Sequence, residues 1–319
     1  LRGWPLEIKM ASAPSSQRPR PRLIAVDGNG TLLGADGASI SDYTRGVIEK
    51  VQAQGIPVVL VTGRPFEKAA PMLERFGMRE YVITENGVRA FRFSDGQALY
   101  EMWLEGQEAE APVQRIKDRL PGQCFFAQIT KDGGLIEEAH PWLQVDSMRE
   151  PASKLFAAVV PDVAKALQAP GRLCAKSYVT IPESQDFEAT MAEVKTAAAQ
   201  GWEVRQIKQL LPGMTNTCEV QSARVNKVDG LRGLCEAINV DPAEVWAFGD
   251  DTNDIRMLSE MGWGVRMINH LPGLEGVGKD VTRFSNEEDG FAKYLEEHLL
   301  VELSGGNDAG SGVAYRGAA

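Results

Sequence analysis

The chain has 319 residues, 43% apolar and 24% charged, and its 44 acidic against 34 basic side chains give a formal net charge of −10. That length suits one large domain or two modest ones, and the acidic balance argues against extended contact with nucleic acid, whose phosphates it would repel. No apolar run reaches the ~18 residues of a membrane span. Cys124, Cys174, Cys218 and Cys235 are widely spaced, with no Cys-x-x-Cys pair. They read as reduced thiols of an intracellular protein, not as a disulfide or zinc framework.

Residues 1–21 are rich in Pro, Arg and Ser and hold one acid, Glu7, so they are expected to be disordered. The expected location is cytoplasmic. A Ser- and Arg-rich, acid-poor start is also what a transit-peptide remnant looks like, which would place the protein in an organelle stroma. The Gly- and Ser-rich stretch 302–319 reads as a flexible tail.

From residue 22 the chain alternates strand and helix signals. Leu23–Val26 is a short continuous apolar run, as in a parallel strand covered on both faces. Ser41 caps a predicted helix that Gly55 stops, Ile56–Val61 is a second strand, Pro65–Phe76 a second helix and Tyr81–Ile83 a third strand. This βαβαβ rhythm predicts a doubly wound, Rossmann-like α/β fold with right-handed crossovers. Between residues 89 and 213 the texture changes: Tyr100–Leu104 and Cys124–Ile129 read as antiparallel strands, Val113–Leu120 and Asp186–Ala199 as helices, with frequent Pro and Gly between them. The βα rhythm then returns, with helices at Lys227–Ile238, Asp254–Glu260 and Gly290–His298 and strands at Val245–Phe248 and Gly264–Met267. The expected organisation is a discontinuous core, 22–88 with 214–301, carrying an inserted α+β cap, 89–213.

In an open parallel sheet, functional groups collect at the carboxyl ends of the strands. Asp27-Gly28-Asn29-Gly30-Thr31, Thr62-Gly63-Arg64 and Gly249-Asp250-Asp251-Thr252-Asn253-Asp254 each directly follow a predicted strand, and Lys227 opens a helix. The three carboxylates in 250–254 would repel one another unless a cation lay between them. Oxygen ligands with room for water and a phosphate suit Mg²⁺. Asp27 and Asp250 are therefore candidate metal ligands, and Thr62 and Lys227 candidate phosphate donors. Each segment alone is ordinary turn chemistry or a surface charge; their order and repeated placement at strand ends carry the argument.

Together these segments resemble the four motifs of the haloacid dehalogenase (HAD) superfamily. The insertion between the second and third resembles the class IIB cap of its Cof-like sugar-phosphatase branch. Thr84-Glu85-Asn86-Gly87, Asp280-Val281-Thr282 and Ser285–Gly290 match that branch as well. The resemblance implies a Mg²⁺-dependent phosphatase acting on a small phosphorylated metabolite, with Asp27 forming an aspartyl-phosphate. It implies Asp27, the Asn29 carbonyl and Asp250 as metal ligands, with Asp254 or Asp251 nearby, directly or through water. Thr62, Gly63, Arg64, Lys227 and Asn253 would hold the phosphate, and the cap would close over the substrate. No motif indicates a protein partner.

One residue departs from the pattern. The phosphatases of this family carry an acid/base Asp two residues after the nucleophile, and here it is Asn29. A carboxamide does not titrate, so slowed turnover is expected, with metal and phosphate binding kept. Loss of catalysis with retained phosphometabolite or protein binding, or phosphotransfer to an acceptor other than water, are the alternatives. His140 and His270 are the candidate replacement acids, beside His298. Arg266 and Ile268 stand where small residues are usual and would reshape the pocket. Trp142, Arg149 and Arg172 are candidate substrate contacts in the cap.

Overall fold

The computed structural model describes residues 18–207 and 216–301. The expected disordered start at residues 1–17 and flexible tail at 302–319 lie outside this range, as does the expected boundary at Gly213. The first core segment runs β1 (Leu23–Asp27), α1 (Asp42–Gln52), β2 (Val58–Val61), α2 (Phe66–Phe76), β3 (Tyr81–Thr84), β4 (Arg89–Arg92) and β5 (Ala98–Glu101). The cap follows as β6 (Leu104–Glu105), α3 (Gly106–Arg119), β7 (Phe125–Thr130), β8 (Gly133–Glu137), α4 (Pro141–Gln144), α5 (Asp146–Leu155), β9 (Ala158–Val160), α6 (Val163–Leu167), β10 (Leu173–Thr180), α7 (Phe187–Ala198), β11 (Trp202–Ile207) and β12 (Thr217–Ser222). The core resumes with α8 (Lys227–Ile238), β13 (Val245–Gly249), α9 (Ile255–Glu260), β14 (Trp263–Arg266), β15 (Asp280–Val281) and α10 (Gly290–Leu295).

Among the described residues the core sheet has the order β15-β14-β13-β1-β2-β3-β4-β5. Pairing is parallel from β15 to β3, with β1 central between β13 and β2. Alternate residues of the central strands face opposite sides. Ile24, Val26, Val58 and Leu60 pack with α1, α2 and α10, whereas Leu23, Ala25, Val59 and Val61 pack with α8 and α9. The result is the expected doubly wound sandwich, buried on both faces. Ser41 caps α1 by accepting from the Thr44 amide at 2.9 Å, and Gly77, at φ 70°, ends α2.

Sheet membership moves both expected junctions. β4 and β5 form an antiparallel hairpin on β3 and extend the core sheet, so the chain leaves the core after Glu101 rather than at residue 89. The expected strand Tyr100–Leu104 is thereby split between β5 in the core and β6, which pairs with β10 in the cap. On the return, β12 pairs with β10 and β11, so the cap sheet extends to Ser222 and not to residue 213. Short antiparallel strands carry no sequence mark of the sheet they join. The cap sheet, β11-β12-β10-β7-β8-β9, is covered on one face by α3, α6 and α7 and on the other by α4 and α5.

The expected disorder of residues 1–21 is corrected for residues 18–21. Arg18 lies over the rings of Trp246, Trp263 and Tyr294, 5.3–5.7 Å from their centroids, and pairs with Asp280 at 3.2 Å. The Pro19 carbonyl accepts from the Trp246 indole at 2.7 Å. No helix among the described residues is long and apolar enough to cross a membrane, and all four cysteines are free and buried.

Candidate active site

The site forms where the carboxyl ends of β1, β2 and β13 open beneath the cap. Asp27 is the last residue of β1, in register with Val61 of β2, so Asp27 and Thr62 come side by side. Close approach fixes the small residues here. Gly30 has φ +77°, and any Cβ on it would run into the Asp250 carboxylate. Thr31 donates to Asp250 at 2.7 Å. Asn269 donates to the Gly30 carbonyl at 2.8 Å and Asn286 to the Leu33 carbonyl at 2.7 Å, so two residues of the C-terminal segment clamp the loop that follows Asp27.

Asp27, Asp250 and Asp254 offer carboxylate oxygens that all lie within 4.8 Å of one another, and all three residues are buried. Lys227, 1% exposed, projects among them from the first turn of α8. It donates to Asp27 and, at 2.7 Å, to Asp254. Burial alone would lower the Lys227 pKa, but Asp254 and Asp27 outweigh burial and hold the ammonium protonated. One ammonium does not balance the cluster. Burial, then repulsion from Asp254 and Asp250, raises Asp27 well above the usual carboxylate range despite Lys227. Burial, with Asp254 and Asp251, pushes Asp250 up to about 7.

Asp254 differs from its partners. One of its oxygens accepts from the Asp250 and Asp251 amides, each at 3.1 Å, and the other from Lys227. It braces the loop and the lysine, so that of these three carboxylates Asp27 and Asp250 face the cleft.

The cleft between core and cap has a volume of about 460 Å³, and Asp27, Asn29, Thr62, Gly63, Arg64, Asp250 and Asn253 all line it. Thr62 accepts from the Arg64 amide at 3.2 Å. Asn253 donates to Asn86 at 3.2 Å, so its amide nitrogen is engaged within the floor. Asn86 belongs to the turn Glu85-Asn86-Gly87, three successive positive-φ residues at 50°, 56° and 102°. A Cβ at Gly87 would strike the carbonyl of Asn226, the residue that caps α8, so this turn seats Lys227.

The roof comes from residues the sequence reading did not single out. Arg205, Glu219 and Tyr178 form a row across β11, β12 and β10, paired in register, with Lys176 two residues along β10 on the same face. Lys176 is 2% exposed. It donates to Glu219 at 2.5 Å and across to the Gly63 carbonyl of the core at 2.6 Å. Arg205 donates to Glu219 at 3.2 Å. Burial would raise the Glu219 carboxyl, but Lys176 and Arg205 outweigh it and hold it at about 2. Asn86 adds hydrogen bonds of 2.9 Å to Glu219 and to Gln221, so floor and roof share one polar network. The available signal was a Lys and a Glu inside strands that are otherwise uncharged, Leu173–Thr180 and Thr217–Ser222.

Other candidates fall elsewhere. His140 is buried within the cap, against Phe125 and Trp142, and burial lowers its pKa to about 3. His270 sits beside the cleft-lining Leu271 without lining the cleft, and His298 packs against Tyr294 near Glu297. Trp142 is in the cap core, Arg149 donates to the Leu143 carbonyl, Arg172 lies near Asp132, and none of the three lines the cleft. Arg266 donates to the Val277 carbonyl, away from the cleft, and Ile268 is exposed to solvent.

Comparison with known proteins agrees with this geometry. The family model for haloacid dehalogenase-like hydrolases matches residues 24–295. The chain is 24% identical over 283 residues to the 5-amino-6-(5-phospho-D-ribitylamino)uracil phosphatase YitU of Bacillus subtilis, covering 88% of this chain and 99% of the relative. It is 26% identical over 264 residues to the HMP-PP phosphatase of Cronobacter sakazakii, covering 79% and 86%. The crystal structure of TM0651 from Thermotoga maritima superposes with a TM-score of 0.67 at 21% identity, covering 87% of this chain and 97% of that one. The chain belongs to the haloacid dehalogenase-like hydrolase family, among relatives that are phosphatases.

Proposed function

We propose that the protein is a Mg²⁺-dependent phosphatase that takes the phosphoryl group of a small phosphorylated metabolite onto Asp27 and then passes it to water. The observation that carries this reading is the convergence of Asp27, Asp250 and Lys227 beneath the cleft. The donor set fits a hard divalent cation, because buried carboxylates whose oxygens lie within 4.8 Å of one another are what such an ion would relieve. Asp27, Asp250 and the Asn29 carbonyl would hold it, with Asp254 as brace, and Mg²⁺ would neutralise phosphoryl charge.

The protein's own residues do the rest. Asp27 supplies the attacking oxygen, breaking one hard displacement into two. Lys227 orients Asp27 and offsets charge that develops on the phosphoryl oxygens. Thr62 and the Gly63 amide contact the bound phosphate. The cap roof covers the cleft, excludes water and reads the remainder of the substrate. Free buried thiols accord with a reducing, intracellular setting.

Asn29 makes turnover slow, since a positioned acid/base is worth ~10²–10⁴-fold. It also motivates a second reading, transfer to an acceptor other than water, because nothing at position 29 activates water against the aspartyl-phosphate. Phosphate release from acetyl phosphate and from a metabolite panel, with Mg²⁺ and then with chelator, tests the first reading. Release that ignores chelator, or that survives Asp27→Asn, would remove it. Intact-mass measurement after rapid quench tests the second: turnover with no species heavier by one phosphoryl group counts against it.

A further inference from the structure

Arg64 lies between two loops of the floor. Its guanidinium donates to the Gly37 carbonyl at 2.6 Å and to the Asn29 side-chain oxygen at 3.1 Å. Its main-chain amide is tied to Thr62. A guanidinium has donors and no acceptor, so the group it receives from Asn29 must be the carboxamide oxygen. This fixes which way the amide points. The two N–H donors of Asn29 lie on the other side of its carboxamide, on a residue that lines the cleft with Asp27.

An amide N–H donates a hydrogen bond but does not hand over its proton. Such a group lowers the energy of an oxygen that departs as an anion, and gives little to one that must be protonated to leave. The buried carboxyl of the roof, Glu219, does not supply the proton, because it is held ionised between Lys176 and Arg205.

We propose that Arg64 positions the Asn29 carboxamide to hydrogen-bond a departing anion, and that this limits efficient turnover to phosphoryl compounds whose leaving oxygen is weakly basic, namely acyl phosphates and phosphoanhydrides. The inference rests on the phosphatase reading above. In the first step an Asp27 carboxylate oxygen bonds to phosphorus. The bond from phosphorus to the leaving oxygen breaks with its electron pair on that oxygen, which departs as a carboxylate or phosphate anion held by the Asn29 N–H. In the second step a water oxygen bonds to phosphorus, the electron pair returns to Asp27, and the water's protons pass to solvent. Asn29 contacts the leaving group, whereas Arg64 acts through it.

The test is a leaving-group series on the full chain with Mg²⁺ at about pH 6: acetyl phosphate, 4-nitrophenyl phosphate, phenyl phosphate and glycerol phosphate. The expected kcat/KM falls at least ~10²-fold from the first to the last, the scale of a missing general acid. Asn29→Asp should raise glycerol phosphate turnover ~10²-fold or more while moving acetyl phosphate less than about tenfold. Asn29→Ala and Arg64→Met should both flatten the dependence, because they take the hydrogen bond from the departing anions that it helps and cost little for an oxygen that must be protonated to leave. Equal losses on all four compounds in Arg64→Met would mark Arg64 as merely structural and overturn its positioning role. A wild-type protein that hydrolyses glycerol phosphate as fast as acetyl phosphate overturns the substrate class while leaving the phosphatase reading intact. Absence of release from every compound by wild type and Asn29→Asp alike removes that reading and this inference together.

Discussion

The floor and the roof of the cleft are both charged, both buried and built in opposite ways. The floor is made of contiguous loops at the ends of parallel strands, and its carboxylates, Asp27, Asp250 and Asp254, outnumber its one buried ammonium, Lys227. The roof is one face of an antiparallel sheet, where Lys176 and Arg205 outnumber the carboxylate they share, Glu219. An excess of negative charge below suits a cation, whereas the charges above are paired with one another. On the proposed reading, chemistry that every substrate shares belongs to the floor, and discrimination among substrates to the roof.

The sharpest way to break this division is at Lys227. Lys227→Met leaves buried, crowded carboxylates with no internal counter-charge and should abolish phosphate release for every substrate, by ~10³-fold or more. It should also destabilise the fold by about 3–5 kcal/mol, as for a severed buried pair. A urea titration read alongside the phosphate assay separates the two losses. If activity persisted, the floor would not be the seat of chemistry.

Glu219→Leu tests the roof. It leaves Lys176 and Arg205 buried without their shared partner, so about 3 kcal/mol of stability should be lost. Release from acetyl phosphate, which has almost no leaving group for a roof to read, should change by less than about tenfold in kcat. A roof variant that lost chemistry as completely as the floor variant would merge the two roles.

Acid should strike the cap through His140, which is buried and neutral with a pKa of about 3 against an ordinary 6.5. Here the unfolded chain binds a proton that the folded chain refuses. The stability linked to His140 is therefore present in full above pH 6.5 and lost as pH falls toward 3, at up to about 1.4 kcal/mol per unit. Urea midpoints between these limits should fall less steeply in His140→Asn than in wild type. An identical slope would show that His140 is protonated in the folded cap.

The smallest effect is expected at Gly28, beside Asp27. A Cβ there meets Leu33, Leu60 and Thr62 only at 3.5–3.8 Å, ordinary contact distances. Gly28→Ala should leave release within about twofold and stabilise the protein by roughly 0.4–1 kcal/mol through the unfolded chain. Its neighbour Gly30 is not replaceable in this way, because Asp250 occupies the space.

These contrasts also explain what was legible in the sequence. Asp27, Thr62 and Asp250 announce themselves because a loop at a strand end keeps its functional residues adjacent in sequence, and the strands before them are short apolar runs. Lys176, Arg205 and Glu219 come from three strands and meet only through cross-strand register, which a single sequence does not display. The same limit misplaced the junctions: the β4–β5 hairpin has the texture of the cap yet extends the core. Arg18 was read as part of a disordered, Arg-rich start, because its aromatic partners, Trp246, Trp263 and Tyr294, lie more than two hundred residues away.

The turn at Gly87 has a mechanical consequence. The chain crosses from core to cap near Met102 and returns near Asn226, and both crossings lie against the same two residues. The Val88 carbonyl accepts from the Met102 amide at 2.8 Å, and Gly87 abuts the Asn226 carbonyl so closely that no side chain fits between them. Two strands of a hinge that share one pin permit swinging and resist sliding. Because Asn226 also caps the helix that begins with Lys227, the pin is joined directly to the residue that holds Asp27.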